Sequence, residues 1–304
     1  FLTSYTNSKI TLAIDINDQA AYSLGYAYKV DMRSDKPNFG EEEILPPEII
    51  YISSNHATHT EYAIKYLDLG CDVFIEKPVS TSFEQLEALS DAVEKSKNKV
   101  FVGYNRPHSK SMDIIKKNLS STAKPFTLSC FVSGHVLSDN HWYRDSAEGT
   151  RVVSNLSHWI DLGVYIMHFA NRLPEYIDVR VSYSDLDTPS ENVSITIVTS
   201  SNDLISIVFT CRGEPFEGVN ETINFQQDDF IAKIDDFRNT QIWKGPIYKK
   251  YKHWPKDNGH KSAILQPFVK KEPRSWEEIK KSTRLMLHIE EMVKQRVISD
   301  RFTL

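Results

Sequence analysis

The first third of the chain carries short apolar runs that end in polar residues, with helical patterns between them. The apolar runs lie at residues 9–15, 47–53, 72–75 and 99–104. Apolar positions at helical spacing fill residues 58–69 and 83–93. Strands that alternate with helices of about a dozen residues are typical of βαβ units. We therefore predict an α/β fold with a parallel sheet for residues 1–106.

After Arg106 the pattern changes to a series of strands. Two helices come first, at residues 112–119 and 152–169. Alternating apolar and polar positions then predict strands at residues 177–183, 193–199, 204–211, 222–226 and 230–234. A helix from residue 276 to about 297 closes the chain. Residues 107–304 are thus predicted to form a second, α+β domain with an open, mostly antiparallel sheet.

Length agrees with two domains, and charge argues against two kinds of partner. The 304 residues are many for a single core, which favours two. The 36 basic and 41 acidic residues leave a net charge of −5 without a long basic run, so we expect no nucleic-acid partner and no membrane partner. No stretch approaches the roughly 18 consecutive apolar residues of a membrane helix.

The cysteines indicate the compartment. Cys71, Cys130 and Cys211 are far apart, odd in number and in no CxxC spacing. Neither a disulfide framework nor a zinc knuckle is therefore expected. The interpretation is a protein of the reducing cytoplasm.

The segment Asp72-Val-Phe-Ile-Glu-Lys-Pro78 is the most informative candidate for chemistry. Open α/β sheets bind their ligands at the carboxyl ends of the strands. Lys77 would stand at the mouth of such a site, and Pro78 restricts the backbone before it. Because a strand-end lysine is usually just solvated, a second group is needed.

Residues 149–161 supply that second group. If residues 152–169 are helical, four polar side chains lie three or four positions apart on one face: Ser154, Asn155, His158 and Asp161. A polar stripe with a histidine on an otherwise apolar helix is difficult to explain by packing alone. A hydrogen-bonded core histidine is the alternative.

Asp15 ends the first predicted strand, where dinucleotide-binding folds place the acid that binds the adenosine ribose. Alternatively, Asp15 caps the next helix together with Asn17 and Asp18. The phosphate-binding glycines should precede that acid by about 20 residues, which falls upstream of Phe1. We expect that the first strand and the glycine loop are missing from the chain as given; a natural loss of cofactor binding is the alternative.

Six segments in order carry a resemblance to a known family. They are Ile52-Ser-Ser-Asn-His-Ala-Thr-His59, Glu76-Lys-Pro78, Tyr104-Asn-Arg106, Trp142-Tyr-Arg144, His158-Trp-Ile-Asp161 and Asp257-Asn-Gly-His260. Through them nearly the whole chain resembles the Gfo/Idh/MocA family, the oxidoreductases related to glucose-fructose oxidoreductase and inositol dehydrogenase. The resemblance implies a Rossmann domain followed by an α/β domain with an open antiparallel sheet. It also implies NAD(P)-dependent hydride transfer at a hydroxyl or carbonyl carbon of a sugar, sugar nucleotide or polyol.

The resemblance implies roles for individual residues. Lys77 matches the family lysine beside the nicotinamide, and His158 matches the proton-transfer histidine of the HxxD motif, so both are expected to be catalytic. The expected cofactor contacts are Asp15, Ile16, Ser53, Ser54, Asn55, His59, Glu76, Lys77 and Asn105. The expected substrate contacts are Lys77, Arg106, Trp142, Arg144, Asn155 and His158, although an arginine such as Arg106 could equally brace the domain interface. Since the chain has no HxxxH, HExxH or GxSxG motif, we expect neither a metal site nor a serine hydrolase.

The chain also departs from the family. Many members have an aspartate four residues before the histidine, where this chain has Ser154, and another branch has a glutamate three before it, where this chain has Asn155. Neither side chain shuttles a proton as a carboxylate does, so the relay would rest on His158 and Lys77. The alternative to an enzyme is a non-catalytic homologue that binds a sugar or protein partner after loss of the cofactor loop.

The same features predict the cofactor and the assembly. The carboxylate of Asp15 would repel a 2′-phosphate, which favours NAD, with NADP as the alternative. An open sheet with apolar positions needs cover, and relatives cover it with a second copy, so we expect a homodimer or homotetramer. The substrate is expected to be a small carbohydrate-like molecule that the sequence does not identify.

Overall fold

The computed structural model describes residues 5–15, 17, 19–20, 23, 31–33, 46–119, 124–269 and 272–304. The strands in these ranges are β1 Leu12–Ile14, β2 Asp31–Arg33, β3 Ile49–Ile52, β4 Asp72–Ile75, β5 Val100–Val102, β6 Phe126–Ser133, β7 Ile177–Tyr183, β8 Val193–Thr199, β9 Leu204–Thr210, β10 Asn220–Gln227, β11 Phe230–Asp235, β12 Asn239–Lys244, β13 Ile247–Lys252 and β14 Ser299–Phe302. The helices are α1 His59–Asp68, α2 Phe83–Lys95, α3 Lys110–Asn118, α4 Ser157–Phe169, α5 His260–Ile264, α6 Gln266–Val269 and α7 Trp276–Gln295. A π-helix, Val152–Leu156, runs directly into α4.

The N-terminal strands are all parallel. β1 pairs with β2, and β3, β4 and β5 form a sheet in that order. The apolar residues Val73, Phe74 and Ile75 of the central strand β4 are fully buried. Residues of α1, α2 and α7 pack in the same hydrophobic core. Parallel strands place their carboxyl ends at one edge, so the residues after β3, β4 and β5 meet there.

The second sheet has nine strands in the order β13-β12-β11-β10-β6-β9-β8-β7-β14. Its neighbours are antiparallel except for β6 and β9. Alternate side chains of β6 point into the core: Phe126, Leu128, Cys130 and Val132. This face packs against the π-helix, α4 and α7, and the opposite face is open.

The predicted fold class, a parallel α/β sheet followed by a mostly antiparallel sheet, is confirmed. The sequence interpretation missed β6, which lies in the middle of the large sheet, and also β2, β12, β13 and β14. The strict alternation of Phe126-Thr-Leu-Ser-Cys-Phe-Val-Ser133 was a signal that could have identified β6. In contrast, nearly every residue of β13 is exposed, so only its pairing with β12 makes it a strand.

The C-terminal segments return to the first sheet. The Tyr51 hydroxyl donates to the Ile264 carbonyl at 2.8 Å, and Gln266 Nε2 donates to the Val102 carbonyl at 3.2 Å. Trp276, at the start of α7, contacts both hydrophobic cores. The division of the chain after Arg106 stays a prediction. Among the residues described, no helix combines the length and apolar character needed to span a membrane.

Candidate functional site

Lys77 lies at the carboxyl end of β4 and reaches the second half of the chain. Its Nζ donates to the carbonyl oxygen of Ser154 in the π-helix at 2.6 Å. Its backbone N–H donates to Glu76 Oε2 at 3.1 Å, and the Lys77–Pro78 peptide bond is cis. Gly103 makes room for Glu76, since a methyl group there would lie 2.6 Å from the carboxylate oxygen. The Lys77 amine thus lies between the end of β4 in the first sheet and the π-helix that packs against the second sheet.

The surroundings of Lys77 change its protonation. Burial lowers the pKa of the amine to about 8; Glu76 opposes this, while the positive charges of Arg106 and Arg151 add to it. Burial also raises the pKa of Glu76. Near neutral pH the Lys77 amine can therefore exist in both protonation states.

His158 lies on the first turn of α4, facing the edge of Tyr104 with ring centroids 6.3 Å apart. Its Nδ1 is buried without a hydrogen-bond partner among the described residues. Burial, followed by the positive charges of Arg106 and Lys77, holds its pKa well below the ordinary value. Burial and the neighbouring positive charges therefore favour the neutral imidazole at pH 7.

The predicted polar face of the helix is divided. Asp161 is fully buried and accepts hydrogen bonds from Arg274 at 2.9 and 3.0 Å and from the Ser282 hydroxyl at 2.9 Å. It therefore faces α7 and not the candidate site, which corrects the expectation of a shared face. Ser154 is also fully buried, and its hydroxyl donates to the Thr150 carbonyl at 2.9 Å. Asn155 is half-buried beside it.

The turn before α4 explains the change of phase. The Ser157 N–H donates to the Val152 carbonyl five residues earlier, as in a π-helix. A π turn is wider than an α turn, so it rotates the residues before it relative to those after it. Such turns are frequent at functional sites.

Arg106 and Asn105 act as braces in this structure. Arg106 donates to both oxygens of Glu221, at 3.2 and 3.0 Å, and its guanidinium lies 4.5 Å from the ring centroid of Trp159. Asn105 accepts from Arg106 at 2.9 Å and donates to the Asn258 carbonyl at 2.7 Å. Both are buried, and Arg106 connects the segment after β5 to β10. Ligand contacts by either residue, and a role of Arg106 at a domain interface, stay predictions.

His59 joins two turns at the sheet edge. Its Nδ1 lies 2.7 Å from the Pro78 carbonyl oxygen, and its Nε2 lies 2.9 Å from that of Ser54. The ring is buried, and burial lowers its pKa although the two carbonyl oxygens oppose this. In this arrangement His59 positions the strand ends and faces no open space.

Candidate cofactor contacts lie around these turns. Ser53, Ser54 and Asn55 are exposed after β3, and Asp15 is exposed after β1. One oxygen of Asp15 accepts the Asn17 N–H at 2.8 Å. Carboxylate and hydroxyl groups at strand ends suit the ribose hydroxyls of a dinucleotide. Ile16 lies outside the described residues. Within the described ranges, no group of three or more His, Cys, Asp or Glu side chains could hold a metal ion.

The loop between β6 and the π-helix covers the site with aromatic rings. Trp142 is exposed, and its ring centroid lies 4.7 Å from that of His56. Tyr143 is half-buried, 4.8 Å from the His56 ring and 5.9 Å from Lys77 Nζ. Arg144 donates to the Leu137 and Ser138 carbonyls, each at 2.9 Å, and so fixes the loop. Sequence reasoning missed Tyr143 and His56, although Tyr143 stands between two residues that it had selected.

His260 is a third residue without a predicted role. It lies within electrostatic range of Lys77 and Arg106, and burial is the main reason that its pKa is lowered. The loop before it is fixed by Gly259, because a methyl group at that position would overlap the Asn105 carbonyl oxygen. The motif Asp257-Asn-Gly-His260 was the signal that could have assigned it to the site.

Comparisons with known proteins agree with the fold class. Residues 1–104 match the family model GFO_IDH_MocA, described as an oxidoreductase family with an NAD-binding Rossmann fold. A protein of Bacillus subtilis strain 168 named as an oxidoreductase, YteT, is 28% identical over 120 residues, which is 37% of this chain and 26% of YteT. The chain thus matches about a quarter of the length of that relative.

Two solved structures share the fold at low identity. The WlbA dehydrogenase from Bordetella pertussis, in complex with NADH and UDP-GlcNAcA, has a TM-score of 0.73 at 14% identity, over 97% of this chain and 90% of WlbA. GenD2 from gentamicin A biosynthesis, in complex with NAD, has a TM-score of 0.77 at 12% identity, over 100% of this chain and 91% of GenD2. Both likenesses extend beyond residue 104 and so include the large sheet.

Proposed function

We propose that this chain, whose residues 1–104 match the model of the Gfo/Idh/MocA oxidoreductase family, transfers hydride between a nicotinamide cofactor and a hydroxyl or carbonyl carbon. The substrate in this proposal is a sugar, a sugar nucleotide or a polyol. Support for that class comes from WlbA, a dehydrogenase of similar fold in complex with NADH and UDP-GlcNAcA.

The observation that carries the proposal is the state of Lys77. The amine stands at the carboxyl end of a buried parallel strand, where α/β sheets bind ligands. Burial lowers its pKa to about 8, and a hydrogen bond to the Ser154 carbonyl fixes its position. A lysine with this pKa at this place is suited to exchange a proton with substrate.

The proton chemistry then follows from the charges. A nicotinamide, when bound at the carboxyl edge of the parallel strands, would supply the hydride chemistry. In the oxidation direction the neutral amine of Lys77 takes the proton of the substrate hydroxyl, and in the reduction direction its ammonium gives a proton to the carbonyl oxygen. His158 stays neutral beside it, so in this proposal it orients the substrate oxygen by a hydrogen bond. Asn155 and Trp142 are proposed substrate contacts.

We propose NAD as the cofactor in preference to NADP. The exposed carboxylate of Asp15 after β1 suits ribose hydroxyls and would repel a 2′-phosphate. GenD2, which has a similar fold, is in complex with NAD. Three buried, free cysteines fit a reducing compartment, and the cytoplasm is therefore the proposed location.

The proposed assembly is a homodimer or homotetramer formed through the open face of the large sheet. Four apolar side chains on this face are 40 to 54% exposed: Phe131, Val198, Leu204 and Ile231. Apolar side chains in such a sheet are typical of a surface that another protein covers.

Cofactor binding and turnover test the proposal. NADH and NADPH fluorescence titrations on the full-length protein should show tighter binding of NADH, and Asp15→Ala should reduce that preference. NAD reduction with sugars, sugar nucleotides and polyols should then identify a substrate. Lys77→Ala should lower kcat on it by about 100- to 10,000-fold.

Two outcomes would contradict the proposal. If the full-length protein binds neither nucleotide, the non-catalytic homologue becomes the better interpretation, and sugars should be tested as ligands without cofactor. If a substrate is oxidised equally fast by Lys77→Ala, Lys77 is not the proton-exchanging group. Asp15→Asn is the control for Asp15→Ala. It keeps the size of the side chain and removes its charge, so it shows whether the preference for NADH depends on the charge.

A further inference from the structure

The loop at residues 134–149 lays an aromatic ring against the Lys77 amine. The ring centroid of Tyr143 lies 5.9 Å from Lys77 Nζ, within the range at which an ammonium interacts with a ring face. On its other sides the ring packs against Trp142, with centroids 4.3 Å apart, and against His56, at 4.8 Å. Tyr143 is therefore part of the wall around the amine.

Contacts within the protein hold Tyr143 in this position. Its backbone N–H donates to His141 Nδ1 at 3.2 Å. Arg144, the next residue, pairs with Glu191 at 3.3 Å in addition to its bonds to two loop carbonyls. His56 is fixed in turn, since its Nδ1 lies 3.1 Å from the Glu148 carbonyl oxygen. The ring is thus fixed from both sides without a ligand.

We propose that Tyr143 is a positioning residue of this site, whose ring keeps water away from the Lys77 amine and so controls how readily that amine gives up its proton. The role rests on the proposed function, in which Lys77 exchanges a proton with substrate. Tyr143 lies on the loop, and not on the strand that leads to Lys77 or on the helix that carries His158.

Two effects of the ring on Lys77 oppose each other. Attraction of the ammonium to the ring face favours the charged form, and it is weak here because 5.9 Å lies at the outer limit of such contacts. Exclusion of water disfavours the charged form, and burial is the largest cause of the lowered pKa of Lys77. Removing the ring should therefore raise the pKa of the amine.

Other charged and titratable groups also act on Lys77 and must stay in place during the test. They are Glu76, Arg106 and Arg151, together with His56, His59, His158 and His260. Replacing Tyr143 changes none of these residues, and its own hydroxyl is protonated because burial raises its pKa. A shift on removal of the ring thus reports the ring itself.

The test measures acetylation of Lys77 by acetic anhydride on the full-length protein, followed by mass spectrometry of the peptide that contains it, from about pH 6 to about pH 10.5. The plateau rate reports access, and the midpoint of the pH profile reports the pKa of the amine. Neither cofactor nor substrate is needed. Tyr143→Phe keeps the ring, Tyr143→Leu removes it, and Tyr248→Leu makes the same change on the exposed strand β13.

We expect a midpoint near pH 8 for the wild type, Tyr143→Phe and Tyr248→Leu. Tyr143→Leu should move it upward by about one unit or more. A midpoint for Tyr143→Leu equal to the wild-type value overturns the inference, as does an equal shift in Tyr248→Leu. Tyr143→Ala provides a second ring-free variant should Tyr143→Leu misfold. Failure of nucleotide binding would refute the proposed function while leaving this result intact, so the two are distinguishable.

Discussion

The Lys77 amine is unfavourable to bury, and its usefulness comes from that burial. An exposed lysine stays charged until about pH 10, so it can give a proton but rarely accepts one. Burial lowers the pKa of Lys77 to about 8, which brings the neutral form within reach of physiological pH. The same surroundings also lower the pKa of His158. Its imidazole is therefore a weak base that accepts a proton poorly.

The proposed reaction should depend on pH with opposite signs in its two directions. Oxidation needs the neutral Lys77 amine, so kcat/KM should rise with pH up to about 8 and then level off. Reduction needs the ammonium, so kcat/KM should be level below about pH 8 and fall above it. Initial rates in both directions across this range provide the measurement. An oxidation profile that is flat through pH 8 would contradict the assignment to Lys77.

Lys77→Met should stabilise the folded protein at neutral pH while it abolishes turnover. The folded state binds the lysine proton more weakly than the unfolded chain does, so below about pH 8 the charged amine opposes folding in full. We expect the free energy of unfolding at pH 7 to increase by roughly 1–3 kcal/mol.

Urea unfolding at two pH values separates this effect from simple packing. The unfavourable term disappears as pH rises from about 8 towards 10.5, so the advantage of Lys77→Met should shrink over that interval. Lys99→Met, at a half-exposed lysine paired with Glu272, serves as the control and should show little change. An advantage that is constant with pH would indicate packing alone.

At the scale of elements, the chain between Val152 and Phe169 combines two tasks. Its π-helical part presents the Ser154 carbonyl to Lys77, and its α-helical part presents His158 to the site and Asp161 to α7. The sequence predicted this stretch as one helix, and its extent is correct. The π turn rotates the residues before it relative to those after it, so the predicted shared polar face is not formed. A π turn has no distinctive local pattern, so the direction of Asp161 could not be derived from spacing.

Asp161→Ala should destabilise the fold rather than alter the chemistry. It would leave Arg274, which also pairs with Glu278, without its bidentate partner in a buried place, and breaking such a pair costs about 3 kcal/mol. Denaturant unfolding should show this loss, whereas Asp113→Ala, at a half-exposed pair with Lys116, should lose under about 1 kcal/mol. If Asp161→Ala instead changes the pH profile of kcat/KM and leaves the free energy of unfolding unchanged, Asp161 acts in the candidate site.

On the scale of the whole molecule, the site forms where the carboxyl edge of the parallel strands meets the helical layer of the large sheet. Arg106 and Glu221 connect these two parts through a buried ion pair, to which Trp159 Nε1 donates at 2.7 Å. The C-terminal helices α5 and α6 return to the first sheet through hydrogen bonds to β3 and β5. The opposite face of the large sheet is open and carries the exposed apolar side chains of the proposed assembly surface.

Phe131→Arg should break the proposed assembly. The side chain is 54% exposed on the open face of β6, and a charge there would be buried without a partner in a sheet-to-sheet contact. Light scattering should report a monomer for this variant and an oligomer for the wild type. Phe169→Arg changes an equally exposed phenylalanine at the end of α4 and should leave the mass unchanged. A monomeric wild type, or an unchanged mass for Phe131→Arg, would refute the proposed interface.

The sequence by itself determined the elements and the most prominent candidates in them. The bounds of β4, β7 and β8 and the position of Lys77 after a buried strand follow from short-range patterns of apolar and polar residues. The order of the two sheets follows in the same way, because alternation with helices and alternation within strands are local properties of the chain.

The protonation states and contacts of those candidates depend on long-range packing. The brace formed by Arg106 and Glu221 and the ring of Tyr143 over the amine join residues more than 60 positions apart. The lowered pKa of Lys77 depends on burial and on Arg151, which is equally distant in the sequence. Burial and charge are sums over everything that packs around a group, whichever part of the chain supplies it. Local spacing therefore identifies the candidate residue, and long-range packing determines its protonation state and the direction of its side chain.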